Sequence, residues 1–186
     1  MSGEEFTSFE ELVSRLTELL QAQEDAKWEM GDLLLLGRAK FGGRGFARAV
    51  AAAGHEIGNH GSYHGHPTQL GRAELERMIE ENAVLLKEVV GRPASRLFAP
   101  PYGEFDQRTV GIAAELGYRT VLWTVDTVDW KRPAPEVIAE RVARKVKNGA
   151  IILMHPTAPT VAALPGIIKD LKARGFRLVT VGEMLR

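Results

Sequence analysis

The hydrophobic positions of the chain follow two different patterns, and the first lies near the N-terminus. Between residues 8 and 24, apolar side chains recur every three or four positions, which is typical of an amphipathic helix. Ser8 and Glu11 fit a capping box at its start, where each side chain satisfies a free backbone amide. The apolar stripe consists of Phe9, Leu12, Val13, Leu16, Leu19 and Leu20.

From Gly54 onward, short apolar runs alternate with longer segments of helical period. The runs predict strands at 55–59, 96–99, 119–126, 150–155 and 177–181. The segments predict helices at about 72–90, 106–116, 135–147 and 160–174, after a shorter helical segment at 46–53. This alternation predicts an α/β fold with a parallel sheet and crossover helices. The apolar strands indicate burial on both faces, as in a barrel or a doubly wound sheet.

Composition restricts the class of protein and its partners. Hydrophobic residues make up 45% and charged residues 26% of the 186 residues, which is the profile of a globular protein. Basic and acidic residues number 24 each, so no net charge attracts the chain to nucleic acid. The absence of cysteine excludes disulfides, thiolate metal ligands and a cysteine nucleophile. We expect no membrane span and no secretory signal, because no apolar run approaches about 20 residues and the start is acidic.

Polar and aromatic side chains follow four of the predicted strands. Because parallel strands end at one edge of their sheet, residues at these positions are candidates for a functional site. They are His60 and His64 after the first strand, Tyr102 after the second, Asp126, Asp129 and Trp130 at the end of the third, and His155 at the end of the fourth.

The two imidazoles of His60 and His64 are four residues apart on a predicted loop. This spacing lets both face one divalent cation, and neutral imidazole is a good ligand for zinc. The spacing fits equally a polar loop whose histidines hydrogen-bond locally. His66 adds a third imidazole, which we assign to a solvated loop position rather than to a ligand.

Four segments occur in a characteristic order: GHEIGNH with His64, LFAPPYGEFD, LWTVDTVDW and IILMHPT. Together they resemble the polysaccharide deacetylase family, the NodB-homology domain, over about residues 46–186. DWKRPAPEVI and GFRLVTVGEML resemble its sporulation-associated branch, the YlxY and PdaB type. The resemblance implies a distorted (β/α) barrel that removes N-acetyl groups from sugar polymers such as peptidoglycan or chitin. Members are usually exported or found in the cell envelope.

The resemblance also implies a divalent metal, zinc or similar, and a catalytic acid. His60 and His64 match the two metal-binding histidines of the family. His155 matches the general acid, and Asp129 matches the acidic residue that orients and tunes that histidine.

Three further residues match positions around the reacting group in the family. Tyr102 matches the residue whose backbone amide helps to hold the oxyanion. Trp130 and Leu153 match the apolar walls around the departing acetate.

Two departures from the family pattern affect the expected activity. The opening motif Thr-Phe-Asp-Asp-Gly, which supplies the catalytic base and a carboxylate metal ligand, is absent, and no Asp-Asp pair occurs in the chain. Ala99 stands where many members have an arginine that braces the base. We therefore expect weak metal binding and a deacetylase that is impaired or inactive.

The N-terminal part suggests how the fold is changed. We interpret residues 1–45 as a helical segment foreign to the family, which replaces the first strand and leaves a partial or modified barrel in residues 46–186. A rearranged gene, an engineered chimera or a misassembled reading frame would give this pattern. Two alternatives remain: a non-catalytic scaffold or oligomerisation protein, with a homodimer as one form, and an active amidase that uses another carboxylate, such as Asp32.

Overall fold

The computed structural model describes residues 47–186. The predicted helix at 8–24 and Asp32 lie outside the described residues. The described chain forms two compact units, the first comprising 56–122 with 185–186 and the second comprising 47–55 with 123–184. Among the described helices, none combines the length and the apolar character that crossing a membrane requires.

The first unit consists of two helices and a small parallel sheet. Helix α1 spans Arg72–Val90 and helix α2 spans Gln107–Glu115. Strands β1 (Leu97–Phe98) and β2 (Arg119–Thr120) pair in parallel. A short 3₁₀ turn, Pro101–Gly103, follows β1.

Segment 57–59 extends this sheet on the other side of β1. Ile57 O accepts a hydrogen bond from Ser95 N at 2.8 Å, and Asn59 N donates to Leu97 O at 2.8 Å. Ala99 N then donates to Asn59 O at 2.9 Å, which continues the parallel pattern. The strand predicted at 55–59 is therefore represented by its second half.

The core of the first unit explains why α1 forms where the apolar period predicts it. Leu75, Met78 and Ile79 follow helical spacing and are fully buried, together with Phe98 of β1 and Ile112 of α2. The helix ends at Gly91, whose φ of 75° is the left-handed conformation that glycine adopts readily.

The second unit pairs strands β3 (Val125–Asp126) and β4 (Ile152–Leu153) in parallel. Its helices are α3 (Pro135–Lys145), α4 (Ala158–Ala173) and α5 (Val181–Met184), and residues 47–52 are also helical. A 3₁₀ turn at Asp129–Lys131 follows β3. The buried core consists of Ile138, Val142, Ala163, Ile167 and Leu171.

Within residues 47–186, the predicted helices are confirmed within one or two residues at their ends, and the parallel α/β organisation is confirmed with them. Two strand predictions differ from the structure. The run at 119–126 forms two separate short strands, because β2 pairs with β1 whereas β3 pairs with β4. The strand predicted at 177–181 is wrong: Leu178 is 44% exposed, Val181 begins α5, and no described strand pairs with this segment. The barrel itself remains a prediction.

Candidate functional site

The loop that carries the first two candidate histidines begins at a buried asparagine. Asn59 is 1% exposed, and its Nδ2 donates to Ile79 O at 2.8 Å. Its Oδ1 accepts from Asn82 Nδ2 at 2.8 Å and from Gly61 N at 2.9 Å. Because an unpaired buried amide is costly, these bonds strongly favour one conformation. Helix α1 therefore determines the direction in which the chain leaves the sheet toward His60.

A second set of contacts holds the turn after His60 against α1. Ser62 N donates to Met78 O at 2.9 Å. Gly61 has a φ of +87°, and a Cβ at this position would lie 3.1 Å from Met78 Cγ and from Tyr63 O. Both the backbone conformation and the close approach therefore favour glycine at this position.

The rings of His60 and His64 lie close together. His60 Nδ1 is 2.6 Å from Ala99 O, and because a carbonyl only accepts, Nδ1 carries the proton and Nε2 is the potential ligand atom. The ring centroids of His60 and His64 are 5.2 Å apart at an interplanar angle of 67°. Imidazoles that share a tetrahedral zinc at Zn–N distances of about 2.0–2.1 Å have centroids about 5 Å apart, so the observed separation fits one shared ion.

The pair of imidazoles is an incomplete donor set by itself. Within residues 47–186, no group of three His, Cys, Asp or Glu side chains lies in an arrangement that would hold a metal ion. The assignment of His60 and His64 as metal ligands remains a prediction that their ring separation supports.

Tyr102 contacts two imidazoles of the same loop. Its ring meets the His64 ring edge-on at a centroid distance of 4.2 Å and stacks on the His66 ring at 4.4 Å and 7°. Its hydroxyl donates to His64 O at 3.4 Å. The backbone of Tyr102 has a φ of 58°, a left-handed conformation that costs a non-glycine residue about 1–2 kcal/mol. Tyr102 thus combines a strained backbone with several side-chain contacts, at the residue whose backbone amide is predicted to help hold the oxyanion.

Sequence reasoning missed the contacts of His66. Besides stacking on Tyr102, His66 Nδ1 lies 3.0 Å from Glu104 Oε1 and 3.1 Å from Glu104 Oε2. Thr68 Oγ1 also donates to Glu104 Oε2 at 3.4 Å. Glu104 is two residues from Tyr102, and this proximity was the only signal in the sequence that pointed to it.

In the second unit, Asp129 and His155 form a doubly connected pair. Asp129 Oδ1 lies 2.7 Å from His155 Nδ1, and Asp129 Oδ2 accepts from His155 N at 2.6 Å. Thr160 Oγ1 also donates to Oδ2, at 2.7 Å. The Asp129 side chain is 0% exposed whereas that of His155 is 43% exposed. The imidazole is therefore held at Nδ1 by a buried carboxylate, and its Nε2 is the atom left for proton transfer.

The pairing of β3 with β4 explains how residues 26 positions apart reach this contact. Asp126 lies opposite Leu153 in the parallel register, so the residues that follow both strands emerge at the same edge. Asp129 begins the 3₁₀ turn after β3, and His155 follows β4 by two residues. This is the arrangement that the order of the motifs predicts.

The pKa of Asp129 reflects two opposing effects. Burial raises the pKa of a carboxyl group, because the charged form loses its hydration. The hydrogen bonds from the His155 ring, the His155 backbone and the Thr160 hydroxyl stabilise the charged form. They outweigh burial and hold the pKa of Asp129 below its usual value. The carboxylate is therefore ionised at neutral pH.

The two predicted apolar walls differ in exposure. Trp130 is 57% exposed, and the Lys131 Nζ lies 4.9 Å from the centre of its ring. Leu153 is partly buried in β4, and its carbonyl accepts from Thr127 Oγ1 at 2.8 Å. An exposed tryptophan next to Asp129 can contact a ligand. The role of Trp130 as an apolar wall around the departing acetate remains a prediction.

Comparison with known proteins identifies the family. The polysaccharide deacetylase profile matches residues 35–121. A peptidoglycan-N-acetylglucosamine deacetylase from Bacillus cereus is 38% identical over 145 residues, which cover 75% of this chain and 67% of that protein. This chain belongs to the polysaccharide deacetylase family. Another member, the uncharacterized protein YlxY of Bacillus subtilis, is 41% identical over 140 residues, or 75% of this chain and 43% of YlxY.

One similar solved structure of this family is described as a pseudoenzyme rather than as an active deacetylase. A CE4 family pseudoenzyme from Bacillus anthracis superposes with a TM-score of 0.76 and 32% identity, covering 97% of this chain and 63% of that chain. A mutant of this pseudoenzyme with restored enzymatic activity gives a TM-score of 0.76 at 31% identity. The chain thus spans under half of YlxY and under two thirds of the pseudoenzyme structure.

Proposed function

We propose that this chain is a polysaccharide deacetylase domain that keeps a catalytic acid and two metal-binding histidines but has strongly impaired activity. Its substrate class is an N-acetylated polysaccharide such as peptidoglycan or chitin. The observation that carries the proposal is the pair of Asp129 and His155, in which a buried carboxylate accepts one bond from the exposed imidazole at 2.7 Å and one from the backbone amide of the same residue at 2.6 Å. A surface histidine without a catalytic role does not require such an arrangement.

His155 is the general acid in this proposal. Its Nδ1–H donates to Asp129, which leaves Nε2 to deliver a proton to the departing amine of the sugar. Asp129 keeps the ring in one orientation through the 2.7 Å contact at Nδ1. A positioned acid of this kind is worth roughly 10²–10⁴-fold in rate.

His60 and His64 would hold the divalent metal through their ring nitrogens. A bound ion of this kind would polarise the amide carbonyl and lower the pKa of water. We propose that the metal binds weakly, because this chain lacks the Asp-Asp motif that supplies the carboxylate ligand in the family. The backbone amide of Tyr102 is the proposed hydrogen-bond donor to the oxyanion, and Trp130 and Leu153 are the proposed walls around the acetyl group.

The proposed impairment has its origin in the N-terminal region. We propose that a helical segment at residues 1–45 replaces the first strand of a partial barrel formed by residues 46–186, and with it the base. The apolar stripe of that helix would be buried on the barrel or in a homodimer. Light scattering and urea denaturation of the full chain and of a chain that begins at residue 26 test this. A truncated form that is monomeric and as stable as the full chain would contradict it.

The deciding experiment is an assay of acetate release from chito-oligosaccharides, with and without zinc and with added formate. We expect turnover far below the roughly 1 per second that is ordinary for enzymes. Added formate should raise the trace rate, because a small carboxylate can serve as the missing base, and His155→Ala should lower it in both conditions. An ordinary turnover rate without formate would show that another carboxylate serves as base.

A non-catalytic role is the second candidate, and the pseudoenzyme from Bacillus anthracis at 32% identity favours it. In that case, the chain would bind an N-acetylated polysaccharide without cleaving it. Binding of chito-oligosaccharides measured by calorimetry, together with no acetate release at any formate concentration, would support this role over an impaired enzyme.

A further inference from the structure

We propose that Glu104, acting through His66, is a positioning residue that orients the ring of Tyr102 and, through that ring, His64. The positioning itself follows from contacts within the first unit. Its consequence for metal binding rests on the proposed function, in which His64 is a metal ligand.

The first step is the contact between Glu104 and His66. Both carboxylate oxygens lie within 3.1 Å of His66 Nδ1, so the bond is shared between them. Thr68 Oγ1 donates to Glu104 Oε2 and holds the carboxylate from a second side. The side chains of His66 and Glu104 are 46% and 35% exposed, so this pair contributes little to stability. Its effect is on orientation, since it selects one rotation of the imidazole ring.

The second step is the stack of His66 on Tyr102. The two rings are nearly parallel, at an interplanar angle of 7° and a centroid distance of 4.4 Å. Parallel stacking at this distance requires the imidazole to present its face, and the Glu104 contact at Nδ1 selects that rotation. Removal of Glu104 leaves the imidazole free to rotate away from the stack.

The third step connects Tyr102 to His64. The Tyr102 ring meets the His64 ring edge-on at 4.2 Å, and the Tyr102 hydroxyl donates to His64 O at 3.4 Å. One aromatic ring thus touches both the side chain and the backbone of His64. The left-handed backbone of Tyr102 makes this placement sensitive, because a strained conformation persists only where surrounding contacts hold it.

The test compares four variants: Glu104→Ala, Glu104→Gln, His66→Phe and the double change of Glu104→Ala with His66→Phe. Phe at position 66 keeps an aromatic ring for the stack but has no nitrogen to contact Glu104. Gln at position 104 keeps an oxygen that accepts a hydrogen bond from His66 Nδ1. Glu140→Ala is the matched control, because Glu140 is an exposed glutamate paired with Arg144 on α3. NMR shifts of the Tyr102 and His64 ring protons without metal are the first readout, and zinc affinity by calorimetry is the second.

We expect Glu104→Ala to move the ring-proton shifts of both Tyr102 and His64 and to weaken zinc binding by about 3–10-fold, below the 10–100-fold typical of a direct partner of a metal ligand. Glu104→Gln should keep most of the parent's ring-proton shifts and most of its zinc affinity. In the His66→Phe background, Glu104→Ala should change neither, because Glu104 acts through the His66 nitrogen.

Unchanged Tyr102 and His64 shifts in Glu104→Ala would overturn the positioning role. An equal effect of Glu104→Ala in the His66→Phe background would overturn it as well. If the shifts move as expected while the parent protein binds no zinc, the positioning role stands and the proposed metal site fails. The two hypotheses are therefore distinguished by one set of samples.

Discussion

Replacement of Asp129 by Asn tests the energetic basis of the proposed acid. The carboxylate accepts three hydrogen bonds, from the His155 ring, the His155 backbone amide and the Thr160 hydroxyl, at 2.6–2.7 Å. An Asn side chain has one acceptor oxygen and no charge, so it cannot reproduce all three. Because Asp129 is fully buried, water cannot take the place of a lost partner.

The expected cost follows from the value of hydrogen bonds to charged groups, which each contribute about 1.5–3 kcal/mol. Loss of charge at all three bonds, with partial compensation by the amide, gives an expected loss of about 2–3 kcal/mol in the free energy of unfolding at pH 7. Urea denaturation measures this directly. Asp170→Asn is the control, since Asp170 is exposed and paired with Arg174, and it should change the free energy by less than about 0.5 kcal/mol.

The same variant has a defined pH dependence. The folded-state pKa of Asp129 is lowered, so its charge contributes stability that is fully present above the unfolded pKa of about 3.9. That contribution is lost as the pH falls through the lower folded-state pKa. The difference between the parent and Asp129→Asn should therefore shrink as the pH falls below about 4. A variant as stable as the parent at pH 7, or a difference that does not shrink as the pH falls below about 4, would refute the role assigned to these bonds.

Three further predictions concern the histidine loop and the exposed tryptophan. Gly61→Ala should lower the free energy of unfolding by about 1–2 kcal/mol, because alanine is strained at φ +87° and its Cβ approaches Met78; urea denaturation of the variant checks this. Zinc should bind with micromolar or weaker affinity and not at all after His60→Ala or His64→Ala; calorimetry measures this, and sub-micromolar binding by the parent would contradict it. Trp130→Ala should change stability by less than about 0.5 kcal/mol, since the side chain is 57% exposed, while it reduces binding of chito-oligosaccharides; unchanged binding would remove Trp130 from the site.

Within the described residues, local patterns in the sequence were sufficient to predict helices α1 to α4, although not the short helix α5. Helix α1 begins and ends where the prediction at 72–90 placed it, because the apolar period and the following Gly91 are both local signals. The motif order likewise indicated that Asp129 and His155 would act together, and the parallel register of β3 and β4 brings them into contact. Their catalytic roles, like those of His60, His64 and Tyr102, remain predictions.

The strands and the contacts of His66 were decided by the tertiary structure. A strand exists only where a neighbour supplies hydrogen bonds along its length. The run at 119–126 therefore divides between two partners, and the apolar segment at 177–181 pairs with no strand among the described residues. The stack of His66 on Tyr102 joins residues 36 positions apart, and no periodic pattern encodes such a pair. Sequence determines the local period and the chemical groups that are available, whereas pairing across the chain depends on which surfaces the folded backbone brings within a few ångströms.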